Sequence, residues 1–576
     1  MMLRKALKHY LIDNLAAVIL IVFGTITWSI TMVKSGLFYS FGLGFWGPNG
    51  HDGVWHIAMA EALSRGSFDI PIFAGEAIKN YHVGYDALLA VLHRITFLPT
   101  SVLYFQIIPP ILALLVGVAT YKFVYRWRKS RMQAFWSTFF VYFGGNFGWI
   151  VTLLREGQLG GESMFWSQQA ISTLINPPFA LSIVLMLLGL MLLTKHLKRP
   201  TTKYFLFVTF LFGILLQIKV YAGILSLGGL LVAGIYEFLK DKKINLLKVF
   251  GGSLLLSSLL FLLFSKSSVS LLVFQPFWFL ETMMGFSDRF YWPRFAEAMV
   301  NYKLAGNLIK GIPAYTVAFF IFIIGNLGTR LVKDIWIFRK LRDFKNLYFI
   351  EIFIFSVIAA GIVLPMVFLQ KGTPWNTIQF IYYSLTFSGI LAGVWLGEFI
   401  EKSRLNTTLL YGIVVVIALL TIPTTIGTLR HYLPRRPPAK LSYQELGALK
   451  FLSNQPRGIV LTYPFDKDAA DAAVANPPRP LYLYESTAYV SAFSGQPVYL
   501  EDEVNLDITG YDWGARREKV EEFLEARDQG LAKKFLKDNN ISYIYWIKDQ
   551  RAALSESELE IEKIFENKEV DIFRVN

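Results

Sequence analysis

Long uncharged runs dominate this chain. The stretch "LSIVLMLLGLMLL" (181–193) contains no charge and no proline, and runs of the same kind recur from residue 14 to residue 429. A helix rises about 1.5 Å per residue, so about 20 apolar residues cross the hydrocarbon core of a bilayer. On that rule the sequence predicts about eleven spans, near 14–33, 102–124, 134–154, 177–195, 203–218, 221–239, 247–264, 313–332, 348–369, 376–399 and 408–429. The fifth and sixth are nearly continuous, joined at "LQIKVYAG". The expected fold class is a polytopic α-helical membrane protein, and the 54% hydrophobic content of the 576 residues agrees.

The charges give an orientation. The loops "RWRKSRMQ", "KHLKRPTTK", "KDKKINLLK", "VKDIWIFRKLRDFKN" and "EKSRLN" are short and dense in Lys and Arg, as cytoplasmic loops are. The alternate segments 34–101, 155–176, 265–312 and "QKGTPW" are of mixed charge and fall on the outer side. The start "MMLRKALKHYLIDNLAAVILIVFG" is basic and then apolar over too long a run for a signal peptide, so it reads as a retained first helix with a cytoplasmic N-terminus. The net charge of +14 is thus topological, and no nucleic-acid-binding motif accompanies it. The absence of cysteine excludes disulfides, thiolate metal sites and cysteine nucleophiles.

At "LPRRPPAK" (433–440) the composition changes, because proline stops helices and favours extended backbone. Two regions are expected: 1–433, a transmembrane domain with a first outer loop at about 34–101, and 434–576, a soluble α/β domain that span parity places outside the cell. In the latter "GIVLTYPF", "PLYLY", "QPVYLED" and "ISYIYWIKD" read as strands, and "REKVEEFLEARDQGLAKKFLKDN" as a helix pair around Gly530. Glu501, Asp502, Glu503, Asp507 and Asp512 lack EF-hand order and read as a solvated acidic loop.

The first outer loop concentrates titratable groups. It holds His51, His56, His82 and His93, four of the seven histidines. Asn49 can cap a helix "GHDGVWHIAMAEALS" that Gly66 can end, which places Asp52 at its third position and Asp52 and His56 on one face. Tyr81, His82 and Asp86 follow at a second amphipathic stretch. An acid in a first helical turn is also favoured by the helix dipole alone, so position by itself does not make Asp52 functional.

The motif "HDGVWHIAMAEALSRGSFDI" followed by "YHVGYDALLAVLHRI", with many spans before a soluble outer tail, resembles the first-loop region of the GT-C superfamily of integral-membrane glycosyltransferases. The resemblance implies a GT-C-like catalytic domain that moves a sugar from a polyprenyl-phosphate donor to a glycan, lipid or protein acceptor at the outer membrane face. It implies that Asp52, which matches the family's first-loop acid, is the general base, and that the anomeric centre inverts. Many members carry two acids there, whereas this chain has His51–Asp52. A divalent cation, Mg or Mn, would draw on Asp52, His56 and His82, although hard cations prefer oxygen ligands.

Further candidates for holding substrate are His51, His56, Tyr81 and His82 in the loop, and Lys219 between two apolar runs, where an ionisable group within a span is a functional candidate. Arg289 and Arg294 in "GFSDRFYWPRF", and Trp375 and Gln379 in "QKGTPWNTIQFIYY", suit a phosphate or a sugar. Two other function classes stay open: a lipid or glycan transporter or flippase, and a non-catalytic scaffold that uses the tail for recognition. The near absence of ionisable residues from the predicted spans disfavours ion-coupled transport.

Overall fold

The computed structural model describes residues 15–264 and 272–576. The basic start of the chain, residues 1–14, and residues 265–271 lie outside the described residues. Among those described, eight helices are long and apolar enough to cross a membrane: Thr100–Arg128, Pro177–Lys198, Val220–Asp241, Asn245–Leu263, Leu308–Leu341, Phe349–Val367, Pro374–Lys402 and Thr407–Tyr432. A ninth arises if Arg131–Phe143 and Gly148–Glu156, bent by 45°, make one span. The chain is an integral membrane protein.

Two more of the expected spans contain shorter apolar helices, Leu15–Ser29, where the described residues begin, and Thr202–Ile218. The first gives way to turns after Ser29. The second ends where Lys219 takes an extended conformation (φ −158°, ψ 114°), which divides the run the sequence left almost continuous.

The chain forms two compact units. One comprises the described residues 15–30, 110–263 and 272–432. Its central pair is Arg131–Phe143 against Gln379–Lys402, which approach closely because Gly393 and Gly397 have no side chain. A Cβ on Gly393 would stand 2.0 Å from the Ser137 backbone nitrogen, and one on Gly397 2.5 Å from Gln133 Cα. Small residues at such seams let membrane helices make the van der Waals contacts that hold them together without a hydrophobic driving force.

In the same unit the bent pair opens between Gly144 and Phe147, which frees backbone carbonyls inside the bundle. Arg330, buried and unremarked in the sequence, donates to Gly145 O at 3.2 Å, Asn326 O at 2.7 Å and Leu327 O at 3.0 Å, and to Gln169 Oε1. Broken helices persist in a membrane when side chains satisfy the groups they release, and Arg330 does so here.

The other unit comprises residues 31–109 with 433–576, so the loop at 34–101 and the C-terminal segment share one core. A four-stranded sheet joins them in the order Leu37–Tyr39, Gly42–Phe45, Ala439–Leu441, Arg479–Pro480. The first two strands form a hairpin whose Gly42 has φ +113°, and a Cβ there would meet Leu441 O at 2.1 Å. Leu43 pairs with Leu441 and Phe45 with Ala439 in antiparallel register. The second sheet runs Ile459–Thr462, Ile541–Ile547, Val570–Val575, Ile561–Glu566.

The tail departs from its sequence reading in several places. "GIVLTYPF" and "ISYIYWIKD" contain strands, but "PLYLY" gives a two-residue strand followed by a 3-10 turn, and "QPVYLED" makes only the bridge Val460–Val498. The helix pair breaks at residues 526–528, where Asp528 caps the second helix Gln529–Asp538. Gly530 lies inside that helix.

The glycine seam yields a prediction. Gly393→Ala is expected to lower the thermal midpoint of the detergent-solubilised protein by several degrees, the mark of overpacking at about 1–3 kcal/mol. Gly412→Ala, in a helix where a Cβ meets nothing within 4 Å, is expected to leave it unchanged or raised. Thermal-shift measurement of the two variants side by side checks this.

Candidate active site

The loop helix Asp52–Ser64 begins where a 3-10 turn, Gly47–Gly50, ends. His51 occupies the cap position and Asp52 the first helical position, so the expected Asn49 cap with Asp52 third is corrected. Asn49 is fully buried and donates instead to Thr31 O (3.1 Å) and Ser35 Oγ (3.0 Å), anchoring the turn. Gly66 does follow the helix with φ +79°, as a helix-ending glycine should.

His51 is the centre of the site. Its Nδ1 lies 3.0 Å from Asp52 Oδ1 and its Nε2 3.2 Å from Asp502 Oδ1. Carboxylates only accept, so both ring nitrogens must donate and the ring is an imidazolium. Burial opposes that charge, but the Asp502 carboxylate, the hydrogen bonds to Asp502 and Asp52, and Glu485 together hold the His51 pKa well above its usual value. Asp502 is 1% exposed and has φ +51°, a left-handed conformation uncommon outside glycine. It caps helix Glu503–Thr509, accepting from the Asn505 backbone at 3.1 Å and the Asn505 side chain at 2.8 Å. Asp52 differs, with a side chain 43% exposed.

Glu485 and Tyr484 complete the surroundings. Burial, then the Asp52 and Asp502 charges, raise the Glu485 pKa against the opposing pull of His51 and Arg479. Tyr484 donates to Gly47 O at 3.1 Å and carries the Arg479 guanidinium 5.0 Å over its ring.

His56 lies one turn along the same helix, buried, with Nδ1 2.7 Å from Asp86 Oδ1. Tyr104 stacks on its ring and Tyr85 meets it edge-on. Trp55 Nε1 donates to Tyr81 Oη at 2.9 Å, and Tyr81 stacks on His82. His56 is thus an interior group that ties two helices together, in contrast to the exposed carboxylate of Asp52. Asp52, His56 and His82 are not gathered into a metal centre: among the described residues no group of three or more His, Asp or Glu is so arranged.

The remaining candidates belong to the other unit. Lys219 is buried at the helix break, 5.8 Å over the Tyr221 ring. Arg289 helps line a cavity of about 400 Å³ with Arg155, Glu156, Asp288 and Tyr291. Its guanidinium sits 4.1 Å over Trp166 and pairs with Asp288 at 3.2 Å, and burial lowers its pKa. Arg294 is exposed in the first turn of Pro293–Leu304 and does not line that cavity. Trp375 is exposed, while Gln379 donates to Asn376 Oδ1, and Asn376 in turn to Gln370 Oε1 at 2.9 Å.

The acidic tail was expected to be solvated, and Glu501 and Asp502 correct that. Both are buried, Asp502 on His51 and Asn505, Glu501 on the backbone N–H groups of Val490 (2.6 Å) and Ser491 (3.1 Å). Asp507 and Asp512 are exposed as expected. Asp502 and Glu485 are the members of the site that sequence reading missed. A carboxylate immediately before "EVNLDITG", a capped short helix, was the one available signal.

No protein-family model and no curated protein matches the chain. Solved structures do. The apo oligosaccharyltransferase of Archaeoglobus fulgidus superposes with a TM-score of 0.52 at 11% identity, covering 92% of this chain and 69% of that one. The same organism's oligosaccharyltransferase AglB, in complex with an inhibitory peptide and a dolichol-phosphate, gives 0.50 over the same shares at 11% identity. The arabinofuranosyltransferase AftD from Mycobacteria covers 98% of this chain and 39% of its own at 11% identity, with a TM-score of 0.46. The likeness shows that the chain shares the fold of the Archaeoglobus fulgidus oligosaccharyltransferase.

The His51 bridge makes a prediction with a sign. A folded pKa above about 6.5 means stability that is whole below that pH and lost as pH rises through the folded value. Glu445 and Glu501, whose carboxyls burial raises to about 8, lose stability in the same direction, so the contrast between wild type and variant isolates His51. His51→Gln is expected to lower the thermal midpoint most near pH 6, with the gap narrowing as pH rises, in thermal-shift scans across pH.

Proposed function

We propose that the protein is a glycosyltransferase that moves a sugar from a polyprenyl-phosphate donor to an acceptor at the outer membrane face. The observation that carries this reading is an exposed Asp52 held by a buried imidazolium, within a GT-C fold. The positive-inside pattern of the basic loops supports the placement of this loop and of the C-terminal segment outside the cell. AglB's complex with a dolichol-phosphate and an inhibitory peptide supports a lipid-phosphate donor, and a peptide among possible acceptor classes.

In this reading Asp52 takes the proton of the acceptor hydroxyl as the oxygen attacks C1. The lipid phosphate departs from the opposite face, so the centre inverts through an oxocarbenium-like state. His51 donates to one Asp52 oxygen and fixes the plane of the carboxylate. Its other donor is spent on Asp502, which keeps the ring from turning. Arg289 and Arg155, which line a cavity of the membrane unit, are by their charge a separate candidate for holding a phosphate. Lys219, Arg294, Trp375, Gln379, Tyr81 and His82 stay secondary candidates for holding substrate.

Asp52→Asn keeps shape and removes basicity. Transfer by the purified protein, followed with a lipid-linked sugar, is expected to drop about 10²–10⁴-fold, the usual weight of a general base. Near-wild-type transfer would remove Asp52 from the chemistry. Asp502→Asn is expected to cost less, and to be accompanied by loss of the His51-dependent pH effect on stability.

A further inference from the structure

The cavity of about 400 Å³ in the membrane unit has the size of a small-ligand site. It lies between the end of helix Gly148–Glu156 and the turn that follows helix Trp278–Gly285. That turn folds back on its own helix: the Tyr291 and Trp292 N–H groups donate to Met283 O at 3.1 Å and Met284 O at 2.7 Å. From the facing helix Arg155 donates to Tyr291 O at 3.4 Å. The lining is polar or charged apart from Met164, Pro293 and the Tyr291 ring, which does not suit a lipid chain.

Three features point to an occupant. Arg289 Nε is buried without a hydrogen-bond partner among the described residues, although Asp288 lies 3.2 Å from Nη1 and Trp166 covers one face of the guanidinium. The indole Nε1 of Trp166 is buried and unpaired in the same way. Buried donors in a native fold are nearly always paired, so two neighbours without partners call for an acceptor. Trp166 and Tyr291 also have left-handed backbone, φ +71° and +55°. Aromatic residues hold that conformation only when their surroundings impose it, and such residues gather at ligand sites. Finally, the Tyr291 ring is 42% exposed and offers the cavity an open apolar face.

The charges decide between ligand classes. The two arginines alone would suit a phosphate, but the Glu156 and Asp288 carboxylates at the same cavity balance them and repel a dianion. Hydroxyl groups both donate and accept, so a polyol satisfies guanidinium and carboxylate groups together. We propose that this cavity binds a neutral saccharide, its hydroxyls accepting from Arg289 Nε and donating to Asp288 and Glu156, and its apolar face against Tyr291. The choice of a sugar rests on the glycosyltransferase reading; the cavity, its balanced charges and its unpaired donors do not.

Binding of the full chain, in lipid nanodiscs free of glycoside detergent, to a glycan array tests this. The array carries oligosaccharides of neutral hexoses and pentoses, of hexuronic acids and of hexose phosphates. No donor is present, so binding is read apart from transfer, and failure of the Asp52 assignment would leave it untouched. A neutral oligosaccharide is expected to be retained over the charged ones. Arg289→Gln is expected to weaken that retention about tenfold, the weight of one hydrogen bond to a charged group. Tyr291→Gly relieves the left-handed backbone, so it is expected to weaken binding severalfold with the thermal midpoint unchanged or raised. Gln158→Ala, exposed nearby and outside the lining, is expected to bind as wild type does. Retention of hexose phosphates alone, retention of no saccharide, or wild-type binding by Tyr291→Gly would overturn the proposal.

Discussion

A buried imidazolium with a carboxylate on each ring nitrogen is the interaction on which the site depends. Taking a charge out of water costs several kcal/mol, and opposite charges at hydrogen-bond distance offset that cost only when the geometry is good. Here residue 51 meets residue 502 across 451 positions of sequence, so one contact ties the loop at 34–101 to the C-terminal segment. Removal of either carboxylate would leave the imidazolium short of a partner in a buried place. That requirement accounts for the left-handed backbone at Asp502, a conformation that persists only when its surroundings hold it. It also leaves Asp52 with one side held and the side chain still open to solvent.

The membrane unit meets a different demand with similar means. Hydrocarbon supplies no hydrogen bonds, so a broken helix needs polar groups from its neighbours. Arg330 performs that service at the break between Gly144 and Phe147, and glycines let the helices on which it rests come together. Both units place a cation where backbone or carboxylate oxygens would otherwise lie buried and unpaired. Buried cations in this chain mark structural junctions as often as chemistry, and Lys219, at another helix break, fits the same pattern.

Much of this was legible in the sequence for plain physical reasons. Hydropathy depends on composition over about twenty residues, so the helices of the membrane unit could be located, although a window cannot see the turns after Ser29 or the extended Lys219. The cluster at His51 and Asp52 stood out because titratable groups are rare beside an apolar run. The partner at Asp502 did not, since nothing local distinguishes a carboxylate that meets a distant histidine from one that meets water. His56 shows the opposite error: its spacing from Asp52 suggested a shared open face, but the aromatic rings of Tyr85 and Tyr104 cover it and its Nδ1 is paired with Asp86. In the tail, β-rich composition over-predicted strands at "PLYLY" and "QPVYLED", where proline interrupts the ladder.

The most direct test of the central claim is made in the cell that uses the protein. Mass spectrometry of lipid-linked sugars and of surface glycans would compare cells carrying the wild-type gene with cells carrying Asp52→Asn at matched protein levels. Accumulation of one lipid-linked sugar, with loss of the corresponding surface glycan, is the result this account predicts. Identical profiles in the two strains would contradict it.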